Sequence, residues 1–236
     1  MEKTKVKIAF LSTYPPRECG IATFAESLVK VFDALYVKSQ VKVVAVSDEK
    51  GKYEYSPRVI FEIDQFGESS YVEAADYINK SMIEVVCLQH EYGIFGGQDG
   101  KYIIKFLENV NKPVVTSFHS VLKEHSEHRY RVTQRILDLS SSIVVMTKDA
   151  KKILTETFKV GPDKIKIVPH GVPNIRFDEK KDAKELLGFS GRTVLSTFGL
   201  INRGKGIEVA IQALAKIVEK HPEIIYLIVG ATHPTV

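Results

Sequence analysis

The stretch VLSTFGLINRGKGIEVAIQAL, residues 194–214, sets the reading of the whole chain. An apolar run ends on Gly199. A short loop then carries Arg203, Gly204, Lys205 and Gly206. Ile207, Ala210, Ile211, Leu214, Ile217 and Val218 follow at helical spacing. A strand that turns through glycines directly into a helix is the repeating step of an α/β protein. The glycines free the backbone. The two cations sit at the mouth of a helix, where unpaired N–H groups and the helix dipole also favour negative charge, so an anion such as a diphosphate is the natural guest. The loop is not a Walker A sequence, because G-x-x-x-x-G-K-[ST] does not fit. The competing reading is a basic surface turn.

The chain before this stretch alternates in the same way. Strands are expected over 6–12, 41–47, 58–63, 84–89, 113–118, 142–147 and 164–169. Helices are expected over 22–35, 70–82, 101–110, 128–140 and 148–158. Several of the strands are apolar almost throughout, the pattern of a parallel sheet covered on both faces. The fold class is therefore α/β, a Rossmann-like doubly wound parallel sheet over 1–170. Prolines, glycines and a charge run make 171–191 a linker, with a short helix at 183–188. A second Rossmann-like unit occupies 192–236. It holds a single βαβ step, too little to cover both faces of its sheet, so it reads as incomplete and the chain as truncated.

Composition narrows the function. The formal net charge is +4, from 33 basic and 29 acidic side chains. That is not the dense basic face of a nucleic-acid binder. It suits an anionic small ligand or peripheral contact with an anionic membrane surface. Cys19 and Cys87 have neither zinc nor redox-motif spacing. Cys87 reads as a small buried hydrophobe and Cys19 as structural. No apolar run reaches the roughly 20 residues of a membrane span, and the N-terminus lacks a signal-peptide pattern, so a cytoplasmic location is expected.

Ligands of open α/β sheets bind beyond the carboxyl ends of the strands. Three further loops there stand out. In STYPPRECGIATF (12–24), Gly20 opens a helix and leaves room for a ligand at its free N–H groups. A plain strand-to-helix turn is the equal alternative. In QHEYGIFGGQDGKY (89–102), Glu91, Tyr92, Gly96 and Gly97 combine polar, aromatic and open backbone, which suits a sugar; the alternative is a flexible loop. In TSFHSVLKEHSEHRYR (116–131), His119 lies just past a strand end and faces the expected cleft, although a satisfied structural histidine is the more ordinary role. His125 and His128 read as part of a solvated helix start rather than a metal site. Arg129, Arg131 and Arg135 form the basic face that would meet a membrane, or simply a solvated one.

As an ordered set, STYPPRECGIATF, HEYGIFGG, VPHGVP, FGLINRGKGIE and LIVGATHP resemble the group 1 family of nucleotide-sugar-dependent glycosyltransferases, which have the GT-B fold. The resemblance covers essentially the whole chain. It implies an acceptor-side domain followed by the start of a donor-side domain. It also implies retention of anomeric configuration and no metal or other cofactor. Gly20 matches a glycine near the donor phosphates, His119 a histidine that reaches the transferred sugar, and Lys205 a lysine that neutralises the donor diphosphate. Glu91, Tyr92, Gly96 and Gly97 fall on the acceptor side. The family often places an arginine directly after the strand-end glycine; Leu200 stands there, with Arg203 the nearest substitute. The family's downstream paired glutamates have no counterpart. The expected function is transfer of a hexose from a nucleotide sugar to a hydroxyl acceptor, by a chain inactive alone. A non-catalytic binding module or inactive fragment is the alternative. A nicotinamide-dependent enzyme is disfavoured, because G-x-G-x-x-G is absent. Donor base, acceptor and oligomeric state stay open.

Overall fold

The computed structural model describes residues 6–36, 40–172, 174 and 180–232. Contacts divide the chain into two compact units, Met1–Gly171 and Val172–Val236. The first unit alternates β1 (Lys7–Ser12), α1 (Gly20–Leu35), β2 (Gln40–Ser47), β3 (Val59–Asp64), α2 (Glu68–Lys80) and β4 (Val85–His90). It continues with α3 (Ile103–Asn109), β5 (Val114–Phe118), α4 (Glu127–Leu139), β6 (Ser142–Val145), α5 (Lys148–Glu156) and β7 (Ile165–Ile167). The seven strands lie in the order β3-β2-β1-β4-β5-β6-β7, and every pairing is parallel. The doubly wound α/β class expected from the alternating pattern is the fold observed.

Alternation along each strand sends side chains to opposite faces. On β1, Ala9 and Leu11 join a large cluster with Tyr71, Ala74 and Ile78 of α2, Phe106 of α3 and Ile136 of α4. Ile8 and Phe10 join a smaller cluster with Ala25 and Val29 of α1. Both faces of the sheet are thus dry, which is why its strands are apolar throughout. Cys87 packs at the margin of the smaller cluster and is half-buried rather than fully buried.

Local signals fix the helix starts. The Ser126 hydroxyl accepts from the Arg129 N–H at the head of α4, and the Thr147 hydroxyl accepts from the Ala150 N–H at the head of α5. The second cap explains why β6 ends at Val145 and not at 147: Thr147 has already turned to serve the next helix.

The second unit holds α6 (Lys180–Leu186), β8 (Thr193–Phe198), α7 (Ile207–Ile217) and β9 (Ile224–Val229). The linker helix begins at Lys180, ahead of the expected 183; residues 173 and 175–179 of that linker lie outside the described residues. β8 and β9 pair in parallel from Thr193↔Ile224 to Phe198↔Val229. One helix covers little of such a sheet: no residue of α7 is buried, Val209 is 64% exposed and Phe198 77%. No helix among the described residues is long and apolar enough to cross a membrane.

Leu88 on β4 is fully buried in the large cluster. Leu88→Ala removes that packing and leaves a cavity, which costs about 2–5 kcal/mol. Denaturant unfolding of the first unit is expected to show its midpoint fall accordingly.

Candidate functional site

β1 pairs with β2 on one side and with β4 on the other. The direction of winding reverses there, so the connections after β1 and β4 leave toward opposite faces and open a crevice at the carboxyl end of the sheet. The loop holding Gly20 and the loop holding Glu91 flank this point.

α1 begins at Gly20 with an unserved amino end. Cys19 occupies the cap position but its side chain makes no capping bond; its sulfur instead accepts from the Thr13 hydroxyl at 3.4 Å. The first turn of α1 carries no acidic residue. Gly20 is exposed, and a Cβ placed on it would meet nothing within 4 Å. This glycine faces open space at a positive helix end.

Phe24, one turn further along α1, brings that helix end against two histidines. Its ring lies 4.8 Å from the His119 ring, edge-on, and 4.8 Å from the His170 ring. The His119 N–H donates to the His90 carbonyl, and its Nε2 lies 3.0 Å from Gln89 Oε1. With the amide oxygen in that position, Nε2 carries the proton and Nδ1 is left as an acceptor. Burial, with a lesser contribution from His170, lowers the His119 pKa to about 4. His119 is therefore a neutral hydrogen-bonding group at neutral pH. Beneath it His90 is fully buried among the rings of Tyr92, Phe95 and Phe118, with neither ring nitrogen partnered among the described residues, and burial lowers its pKa to about 3.

The loop after β4 is ordered by its own side chains. Glu91 Oε1 accepts from the Tyr92 N–H and starts a 3-10 turn over Tyr92–Ile94, and Glu91 Oε2 accepts from the Ser120 hydroxyl at 2.5 Å. Glu91 thus ties the β4 and β5 loops together. Tyr92 turns away toward α4: its hydroxyl is 2.8 Å from that of Thr133, and the Arg129 guanidinium sits 5.0 Å from its ring centre. Gly96 and Gly97 are filled against by protein. A Cβ on Gly96 would collide with the Gln65 carbonyl oxygen, and one on Gly97 would lie 2.8 Å from Tyr102. Asp99, in left-handed backbone at φ 53, accepts from His128 Nδ1 at 2.9 Å and from Arg129 Nε at 2.8 Å. This clamp had no mark in the sequence beyond an aspartate among glycines.

The three histidines after β5 go to separate environments. His119 faces Phe24, His125 packs on Tyr130 and Phe158, and His128 binds Asp99. Among the described residues no group of three or more His, Cys, Asp or Glu is placed to hold a metal ion. The basic face of α4 carries its own counter-ions: Arg129 pairs with Asp99, Arg131 with Glu127 and Arg135 with Glu108.

In the second unit, Gly199 closes β8 at φ 109 and Gly230 closes β9 at φ 153, in backbone that favours glycine. A Cβ on Gly230 would collide with the Gly199 carbonyl oxygen, and one on Gly199 would lie 3.4 Å from Lys205 Nζ. The lysine ammonium therefore reaches back over the strand-end glycine. Asn202 holds the loop in shape, its side-chain oxygen accepting from the Gly204 N–H at 2.9 Å. Gly206, at φ 60, turns the chain into α7 and offers no capping side chain. Arg203 is exposed and lines an open groove of about 600 Å³ with Asn202, Ile207 and Glu208. Lys205, Arg203 and the uncapped head of α7 share one loop; Gly20, His119 and Glu91 share the crevice of the first unit.

No family model matches the chain, and no curated protein sequence matches it. Solved structures do. Anabaena HepE in complex with UDP and glucose aligns over 98% of this chain and 62% of its own, at 14% identity and a TM-score of 0.66. A glycosyltransferase from Rickettsia africae aligns over 98% of this chain and 69% of its own, at 15% identity and a TM-score of 0.60. An α-glucosyltransferase solved with UDP-glucose and abasic-site DNA aligns over 97% and 68%, at 12% identity and a TM-score of 0.58. The chain has the GT-B fold that these structures share. It spans 62% of the length of HepE.

Two tests separate the glycines and the histidines by role. Gly20→Ala is expected to raise stability by about 0.5–1 kcal/mol, because alanine is the better helix former and has room. Gly96→Ala is expected to lower it by about 3 kcal/mol through the backbone collision. Thermal melts of the two variants check both signs. For the histidines, folding holds the pKa values of His90 and His119 below the ordinary value of 6.5. As pH falls from 6.5 toward 4, the unfolded chain takes up protons that the folded rings refuse, so stability present above pH 6.5 is lost through this window. The slope of unfolding free energy against pH is expected to approach about two protons near pH 5. His90→Phe is expected to halve it; a flat profile between pH 7 and 5 contradicts the assignment.

Proposed function

We propose that the chain is the acceptor-side portion, with the opening of the donor-side portion, of a group 1 nucleotide-sugar-dependent glycosyltransferase. It moves a hexose to a hydroxyl acceptor with retention of configuration. The observation that carries this reading is the second-unit loop. Lys205 Nζ lies over Gly199 beside a helix head that no side chain caps among the described residues. That combination fits a diphosphate. In the reaction the bond between the sugar's anomeric carbon and the diphosphate oxygen breaks, and its electron pair leaves with the nucleoside diphosphate. The acceptor oxygen bonds the same carbon and passes its proton to the departing diphosphate oxygen. Lys205, with Arg203 as second cation, neutralises the charge that grows on the departing group.

The first unit supports the acceptor role. A neutral His119 can hydrogen-bond a sugar hydroxyl without adding charge, and open space at Gly20 lets a ligand reach the head of α1. Glu91 lies on the same crevice, while the Tyr92, Gly96 and Gly97 positions act through loop shape. The similar structures that contain UDP or UDP-glucose favour a nucleotide-sugar donor. One of them contains DNA. A +4 charge whose arginines on α4 are internally paired favours a carbohydrate acceptor for this chain instead. Those pairs likewise leave little free charge on α4 for a membrane surface. The reading requires no metal and places the chain in the cytoplasm.

Lys205→Ala, assayed in the protein at its natural length, is expected to lower kcat by about a hundredfold or more with a smaller change in donor KM. Unchanged turnover removes the clamp. The alternative, a binding module without catalysis, would bind nucleotide sugar in calorimetry yet release no nucleoside diphosphate at natural length.

A further inference from the structure

Arg58 pairs with Asp33, Arg129 with Asp99, Arg131 with Glu127 and Arg135 with Glu108. Arg17, the remaining arginine of the first unit, pairs with no carboxylate among the described residues. It sits half-buried in the loop after β1, at the carboxyl end of the sheet. Its position is built. Nη1 donates to the Val46 carbonyl at 2.8 Å, and Nη2 donates to Gln65 Oε1 at 2.8 Å. Gln65 is buried and held in turn: its Nε2 donates to the Gly93 carbonyl, and its own carbonyl accepts from the Tyr71 hydroxyl. Both partners of Arg17 are neutral. A guanidinium with further N–H donors unused is thus fixed at the carboxyl end of the sheet.

A pin needing two hydrogen bonds does not need a charge, and holding a charge partly out of water without a counter-ion is unfavourable. An anion restores the balance and gains charge-assisted bonds. On the adjoining loops Asp48 accepts from the Tyr53 hydroxyl at 2.9 Å, Glu62 from the Gly51 N–H at 3.1 Å and Asp64 from the Phe66 N–H at 2.9 Å.

We propose that Arg17 receives an anionic group, phosphate or carboxylate, carried on the sugar acceptor. The proposal rests on the first unit being the acceptor side. It is tested by binding alone, so its failure and that of the diphosphate clamp are separable. The full chain is titrated with glucose 6-phosphate, glucuronate and glucose while the Arg17 Nε–Hε resonance is followed by NMR. A shift with glucose 6-phosphate or glucuronate and none with glucose is expected; the tighter of the two names the anion. Arg17→Met is expected to weaken that binding at least about tenfold, near 1.4 kcal/mol. Lys205→Ala is expected to leave it unchanged. A silent Arg17 resonance in the folded wild-type protein overturns the proposal even where Arg17→Met fails to fold. Loss of the binding in Lys205→Ala overturns it too, by placing the anion at the other loop.

Discussion

Strand β1 is hydrogen-bonded on both sides, to β2 and to β4, and the rest of the first unit follows from that position. A parallel strand with neighbours on each edge must be dry on both faces, which demands helices above and below and apolar side chains at every step of Ile8–Leu11. The same pairing reverses the winding between β1 and β4. The loops that leave those strands part company, and the crevice between them is where Gly20, His119 and Glu91 are presented. The candidate site is a consequence of strand order before it is a property of any side chain.

Polar staples then turn a crevice into a shaped surface. Glu91 joins the loops after β4 and β5 through Ser120, Gln65 joins those after β1, β3 and β4 through Arg17 and Gly93, and Asp99 holds the far end of the glycine loop to α4. Each staple uses a buried or half-buried group whose partners are neutral or singly charged, so the loops are fixed without filling the crevice with apolar bulk. The second unit follows another economy. Gly230 makes room for the Gly199 carbonyl, Gly199 lies under a lysine ammonium, and a left-handed glycine delivers the helix head beside it.

The sheet was legible because parallel strands leave long apolar runs and α/β loops leave glycines, and both survive in one dimension. The place of Gly20, His119 and Lys205 just past strand ends is legible for the same reason. The roles of Gly96 and Gly97 were not. Their glycine character answers to the Gln65 carbonyl and the Tyr102 ring, and the Gln65 contact is far away in sequence. Tyr92 looked like an exposed aromatic for a sugar but spends its hydroxyl on Thr133, a partner 41 residues on. Nothing in the sequence marks Arg17 out. Its meaning depends on the absence of an acid beside it among the described residues, which spacing along a chain cannot record.

The most direct test of the account is amide chemical-shift mapping of the chain with UDP. Perturbations centred on Gly204, Lys205 and the first turn of α7, at millimolar UDP and lost at high salt, are expected if that loop receives the diphosphate. Perturbations confined to other segments, or none at millimolar UDP, would contradict the diphosphate assignment and with it the glycosyltransferase reading.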